Sequence, residues 1–201
     1  IVGLSIRNAL DPIVLNFYSS AWDISCYTIA SLPFQHLWQT INMAKRTVNP
    51  SLIAMHAGQQ RERLRSAFLR GNRVALWAFL LPGLPIALFS YPLIKFYIGD
   101  ELWLTPLLIQ INFLGFLVIV PSVVFSTIVE AIGKPRDFCI LVLGTNVFNL
   151  VLTLVFVGGL GYGAIGSCAA TAISAAICYP LMIWPLSRST LLITPREWFL
   201  E

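Results

Sequence analysis

Charge is scarce in this chain. Only 11% of its 201 residues are Asp, Glu, Lys or Arg, against about 25% in a soluble domain. Hydrophobic residues make up 57%, and mean hydropathy is +0.79. With less than half the usual supply of water-compatible groups, the surface is expected to face lipid. That excludes a secreted disulfide scaffold, a nucleic-acid module and a cytosolic enzyme. The net charge of +4 and the pI near 9.0 then bear on membrane topology rather than on nucleic acid.

Metal ligands and catalytic motifs are equally sparse. Cys26, Cys139, Cys168 and Cys178 form no CxxC pair and have no histidine at ligand spacing. His36 and His56 are the only histidines, and neither has a second ligand type three or four residues away. The thiols read as buried structural groups, and no cofactor or metal is expected. There is no GxSxG elbow, phosphate loop, HExxH pair or close carboxylate pair in the apolar interior, so an enzyme is not expected. Gly158, Gly159, Gly161 and Gly163 join two apolar runs and do not follow a soluble strand. Ile1 opens inside an apolar segment without a start Met or a basic n-region. The expectation is therefore a piece of a longer chain.

What is present is a series of long apolar runs. A helix rises about 1.5 Å per residue and the hydrocarbon core is about 30 Å thick, so a span needs about 20 mostly apolar residues. Six candidates follow: residues 1–18, 23–44, 67–97, 105–132, 138–157 and 162–186. The first is interrupted by Arg7, Asn8, Asp11, Pro12 and Asn16. The third is too long for one straight span, and Pro82, Pro85 and Pro92 should kink or divide it near its exit. The fold class expected is thus all-α: a polytopic membrane bundle of about six helices over residues 1–188, with a tail over 189–201.

Eleven of the thirteen Lys and Arg lie on alternate connections. Lys45, Arg46, Arg61, Arg63, Arg65, Arg70 and Arg73 follow the second span, Lys134 and Arg136 the fourth, and Arg188 and Arg196 the sixth. The other connections, SSAWD, YIGDELW and GGLG, carry none. Positive connections stay cytoplasmic, which puts the C-terminal tail on the cytoplasmic side of the membrane. The segment from Asn49 to Arg73 is expected to be a topology-setting loop opened by Pro50. An alternative has Leu64, Phe68 and Leu69 resting at the interface while Arg61, Arg65 and Arg73 snorkel to headgroups.

Polar groups inside spans are costly and normally face a bundle interior or a wet cavity. The second span carries Thr28, Ser31, Gln35, Gln39, Asn42 and Arg46 at spacings of three and four, on one helical face. Cavity lining is the favoured reading, and hydrogen bonding to neighbouring helices is the alternative. On the fifth span Thr145, Asn149 and Thr153 form a shorter stripe with Asn146 beside it, and there packing is favoured. The sixth, GYGAIGSCAATAISAA, is dominated by small residues that let backbones approach closely, and it is assigned no ligand. Arg7 and Asp11 lie four apart and can pair. Arg7 would attract an anionic head while Asp11 holds it or takes up a coupling proton. The alternative is a snorkelling Arg7 neutralised by Asp11.

Several patterns in this order carry a family likeness: Asp11 in DPIVLNFYSS, Tyr27 and Ala30 at a span entry, NPSLIAMHAGQQRERLRSAF, Phe96-Tyr97-Ile98-Gly99 before acidic residues, EAIGKPRD, and GYGAIGSCAATAIS. Together they resemble the second half of polysaccharide and O-antigen flippases, in the superfamily that also holds multidrug and toxin extrusion transporters and lipid II flippases. The resemblance implies one six-helix lobe of a two-lobe transporter, moving lipid-linked oligosaccharide across the cytoplasmic (inner) membrane by alternating access. It implies membrane lipid, a polyprenyl-linked oligosaccharide, an N-terminal lobe of the same protein and other polysaccharide assembly proteins as partners, and no nucleic acid. The chain departs from the needs of such a substrate in one respect: only Arg7 is placed as a membrane-embedded cation, so further cations would come from the first lobe or from Arg46. A drug or cation antiporter, supported by Asp11, and a non-transporting membrane scaffold are the competing readings.

Overall fold

A computed structural model describes the backbone of residues 2–131, 133 and 135–191, and side chains for residues 10–60, 62–130, 133, 136 and 138–181. Every regular element among them is helical: α1 (Val2–Tyr18), α2 (Ala21–Ala57), α3 (Arg61–Leu88), α4 (Ser90–Tyr97), α5 (Thr105–Ala131), α6 (Pro135–Thr153), a π-helical turn (Leu154–Gly159) and α7 (Gly163–Leu191). Among the described residues, four helical segments are long and apolar enough to cross a membrane, within α3, α5, α6 with its π turn, and α7. The expected second span is not among them, and the expected first span lies partly outside the described residues. Within α2, Ser31, Gln35, His36, Gln39, Thr40 and Asn42 dilute the apolar run.

Helix α5 is the centre of the bundle and packs against α2, α3, α4 and α7. Its Phe113 stacks on Phe79 of α3 with ring centroids 5.6 Å apart, and its Phe116 stacks on Phe34 of α2 at 5.9 Å. Gly115 lets α7 close in, because a Cβ there would sit 3.2 Å from the Ala172 Cα. The small residues of α7 thus serve helix approach, as their composition implies. Outward faces are apolar instead: Val74, Trp77, Leu81, Leu84 and Leu88 are exposed along α3, and Ile140, Leu143, Val147 and Val151 along α6. Spacings of three and four put each set on one stripe. Such stripes would be a liability in water and fit a hydrocarbon surround.

The long third segment divides as its prolines suggest. Helix α3 ends at Leu88 and α4 starts at Ser90, with Pro92 in the first turn of α4, where a missing N–H costs little. The stretch from Asn49 to Arg73 departs from expectation. It is not a loop, since α2 continues through Pro50 to Ala57 and α3 begins at Arg61. Only Gly58, Gln59 and Gln60 connect them, Gln59 with a left-handed φ of 53°. At about 1.5 Å per residue the 37-residue α2 is about 55 Å long, well beyond a hydrocarbon core of about 30 Å. Leu52, Leu64 and Phe68 anchor this hairpin in a second core with Phe125, Ile128, Leu141 and Tyr179. Leu64 and Phe68 are therefore buried in protein, not resting at an interface.

The acidic connections meet at one end. Ser20 and Asp23 form a capping box that opens α2, and Trp22 donates to the Glu101 carbonyl at 2.9 Å with its ring tilted against that of Trp103. Gly163 starts α7 beside them with φ of 50°, and a Cβ there would lie 2.9 Å from Asp23 Oδ1. Lys95 pairs with Asp100 in the α4–α5 connection at 3.3 Å. At the opposite end of α5, Lys45 donates to Ser126 Oγ at 2.7 Å and to Glu130 Oε1 at 3.1 Å.

Candidate functional site

A buried polar cluster surrounds Asp11, which is 3% exposed. Its carboxylate collects donors from three other helices. Tyr27 of α2 donates from Oη to Oδ2 at 2.9 Å, and Thr171 of α7 donates from Oγ1 to Oδ2 at 3.1 Å. Thr153, the last residue of α6, donates from Oγ1 to Oδ1 at 3.3 Å. Each hydroxyl is held by its own helix, so the cluster forms only when α1, α2, α6 and α7 are packed together. The π turn begins immediately after Thr153; widened turns of this kind re-aim the residues beside them and recur at functional sites.

Asn149, 1% exposed, completes the cluster. The amide satisfies its surroundings with Nδ2 toward the carboxylate: it donates to Asp11 Oδ1 at 3.3 Å, and its oxygen accepts from the Thr171 amide N–H at 3.2 Å. An ionised carboxylate only accepts, so this orientation adds one more donor to Asp11.

Of the candidate residues, Asp11 and Asn149 come together, whereas Thr28, Ser31, Gln35, Gln39 and Asn42 stay on α2. Thr28 is exposed and donates to the Ile24 carbonyl at 2.8 Å. Ser31 is buried and donates to the Thr28 carbonyl at 3.0 Å. Half-buried Gln35 donates to Ser31 Oγ at 3.1 Å, and half-buried Asn42 donates to the Trp38 carbonyl at 2.9 Å. Gln39 is exposed. These bonds all stay within α2, so they do not tie it to a neighbour. Arg7 lies on the α1 backbone, but its side chain, and with it the expected Arg7–Asp11 pair, falls outside the described residues.

Thr171 was hidden in the sequence by its setting in a small-residue helix. A signal was there: Ser167, Thr171 and Ser174 repeat at spacings of four and three, the same rule that marks the α2 and α6 stripes. Tyr27 has no such marker, since a tyrosine among apolar residues reads as packing. Among the described residues, no three His, Cys, Asp or Glu side chains converge as a metal site would require. Compared with known proteins, the chain matches no family model, no curated protein and no solved structure.

Proposed function

We propose that this chain is a six-helix lobe of a two-lobe transporter that carries lipid-linked oligosaccharide across the cytoplasmic membrane by alternating access. In this reading α1 and α2 also span the bilayer, α3 and α4 together form one span, and the tail over 189–201 is cytoplasmic. The observation that carries it is the polar face of α2. In an otherwise apolar bundle, a helix stripe whose hydrogen bonds stay on its own helix is available to line a wet passage. The polyprenyl tail of such a substrate would remain in lipid while its glycan and phosphates pass the stripe.

Asp11 is assigned the coupling role. A carboxyl group on α1 that is held by hydroxyls from α2, α6 and α7 feels any rearrangement of the four helices. Proton uptake at Asp11 would then be linked to how α1, α6 and α7 sit against one another, which is what an alternating cycle needs. The same buried carboxylate favours a second reading, a drug or cation antiporter, in which Asp11 meets the cargo itself.

Cells deprived of the protein separate these readings. Loss of surface polysaccharide with build-up of lipid-linked oligosaccharide on the cytoplasmic leaflet is the expected outcome. Unchanged surface polysaccharide together with heightened sensitivity to cationic drugs would overturn the oligosaccharide reading in favour of the antiporter.

A further inference from the structure

On the opposite side of α2 from the polar stripe lies a groove of about 390 Å³ between α2, α3 and α5. Its walls are mainly apolar, with Leu37 and Ile41 from α2, Val74 from α3 and Val124 from α5. Gly71 belongs to the same lining, and a Cβ there would sit 3.1 Å from Val124 Cγ1, so α3 approaches α5 closely at this point. Two cations, Lys45 and Arg70, stand in the groove with the hydroxyl-bearing Thr127. Lys45 gives hydrogens to Ser126 and Glu130, which leaves one of its three N–H donors over. Arg70 is exposed and has no carboxylate within ion-pair distance among the described residues, so the pair of cations outweighs the single Glu130 carboxylate.

We propose that this groove binds an anionic phospholipid of the surrounding bilayer, an acyl chain lying against Leu37, Ile41, Val74 and Val124 and the phosphate meeting Arg70 and Lys45. Two observations select a lipid over a protein segment. First, the groove opens onto lipid: Val74, which lines it, is 68% exposed and begins the outward stripe of α3 that continues through Trp77 and Leu81. Second, the cations sit at the level of the last turns of α5, where Lys45 reaches Glu130 one residue before the helix ends. Basic pockets between membrane helices on the cytoplasmic side are suited to acidic headgroups. The proposal rests on the membrane orientation proposed above, which makes this end of α5 cytoplasmic, and does not depend on transport.

The test is native mass spectrometry of the full chain released from mild detergent, with phosphatidylglycerol, phosphatidylcholine of the same acyl chains, or a polyprenyl phosphate added. Phosphatidylglycerol should be retained about fivefold over phosphatidylcholine, the preference that about 1 kcal/mol per basic residue would give for the one positive charge left after Glu130 offsets Lys45. Arg70→Gln should remove most of that preference, and Ala78→Trp, which fills the groove from an exposed wall position, should lower retention of both lipids. Circular dichroism of both variants establishes that the helices remain. Equal retention of the two phospholipids by the parent chain overturns the proposal, as does unchanged retention in Ala78→Trp. Stronger retention of polyprenyl phosphate than of phosphatidylglycerol also overturns it, since the groove would then be a substrate site.

Discussion

The polar stripes of α2 and α6 look alike in sequence and end up in opposite situations. Both place Thr, Asn, Gln or Ser at spacings of three and four on an apolar helix. On α6 the stripe turns inward, where Asn149 and Thr153 are buried against Asp11. On α2 it straddles an edge, with Ser31 buried and Gln39 exposed. The difference is what stands opposite. Across from α6 is a carboxylate with acceptors to offer, so Asn149 and Thr153 bond between helices, while Thr145 donates within α6 to the Leu141 carbonyl at 2.9 Å. The α2 side chains bond within their own helix and leave their outer edge open. A polar stripe therefore announces a wet or bonded face, and only the neighbouring helix decides which.

The comparison is broken most forcefully at Asp11. Asp11→Leu removes the acceptor shared by the Tyr27, Thr153 and Thr171 hydroxyls, and a buried donor left unsatisfied costs about 1–3 kcal/mol. With several stranded together, a loss of about 3 kcal/mol or more is expected, read as a drop in stability toward denaturant in micelles. Asp11→Asn keeps the shape and one acceptor oxygen, so it should lose distinctly less. If Asp11→Leu unfolds no more readily than the parent, the cluster is not what holds α1, α2, α6 and α7 together.

A smaller effect is expected at Thr153→Val, which deletes one 3.3 Å hydrogen bond while keeping the side-chain shape. The loss should be about 1 kcal/mol. The decisive comparison is with Thr153→Val made on Asp11→Leu. If the threonine acts through the carboxylate, its cost should disappear in that background; a full additive cost would mean that Thr153 works through other contacts.

Much of this was legible in the sequence, and the failures have identifiable physics. Apolar run lengths marked the helices, and the division of the third run followed from its prolines. Pro50 misled, because a proline inside a helix costs about 3 kcal/mol and so reads as a boundary. Leu52, Leu64 and Phe68 are 3% exposed or less, and each such side chain is worth about 1.5–3 kcal/mol when buried, enough together to outweigh the proline. Those contacts join residues far apart in sequence, which periodicity within one run cannot register. The Asp11 cluster was half visible. Asp11 and Asn149 stood out as polar groups in apolar runs, whereas Thr171 lay in a helix whose small residues already had a sufficient role in close packing.

The smallest expected effect on stability is at Gln39. It is exposed and lies on the open edge of α2, so Gln39→Leu should stay within about 0.5 kcal/mol of the parent, in contrast to every substitution around Asp11. Its consequence should appear in accessibility instead. In a cysteine-free background, single cysteines at Gln35, Gln39 and Asn42 should react with a small hydrophilic thiol reagent in native membranes if that face lines a wet passage. Leu37 and Ile41 point into the apolar groove on the other side of the same helix, and cysteines there should stay inert at the same membrane depth. Depth is thereby removed as an explanation, and only the facing direction is left. Inertness at all five positions would mean that the α2 stripe, like that of α6, is closed off by a partner, and the two stripes would then differ only in whether that partner belongs to this lobe.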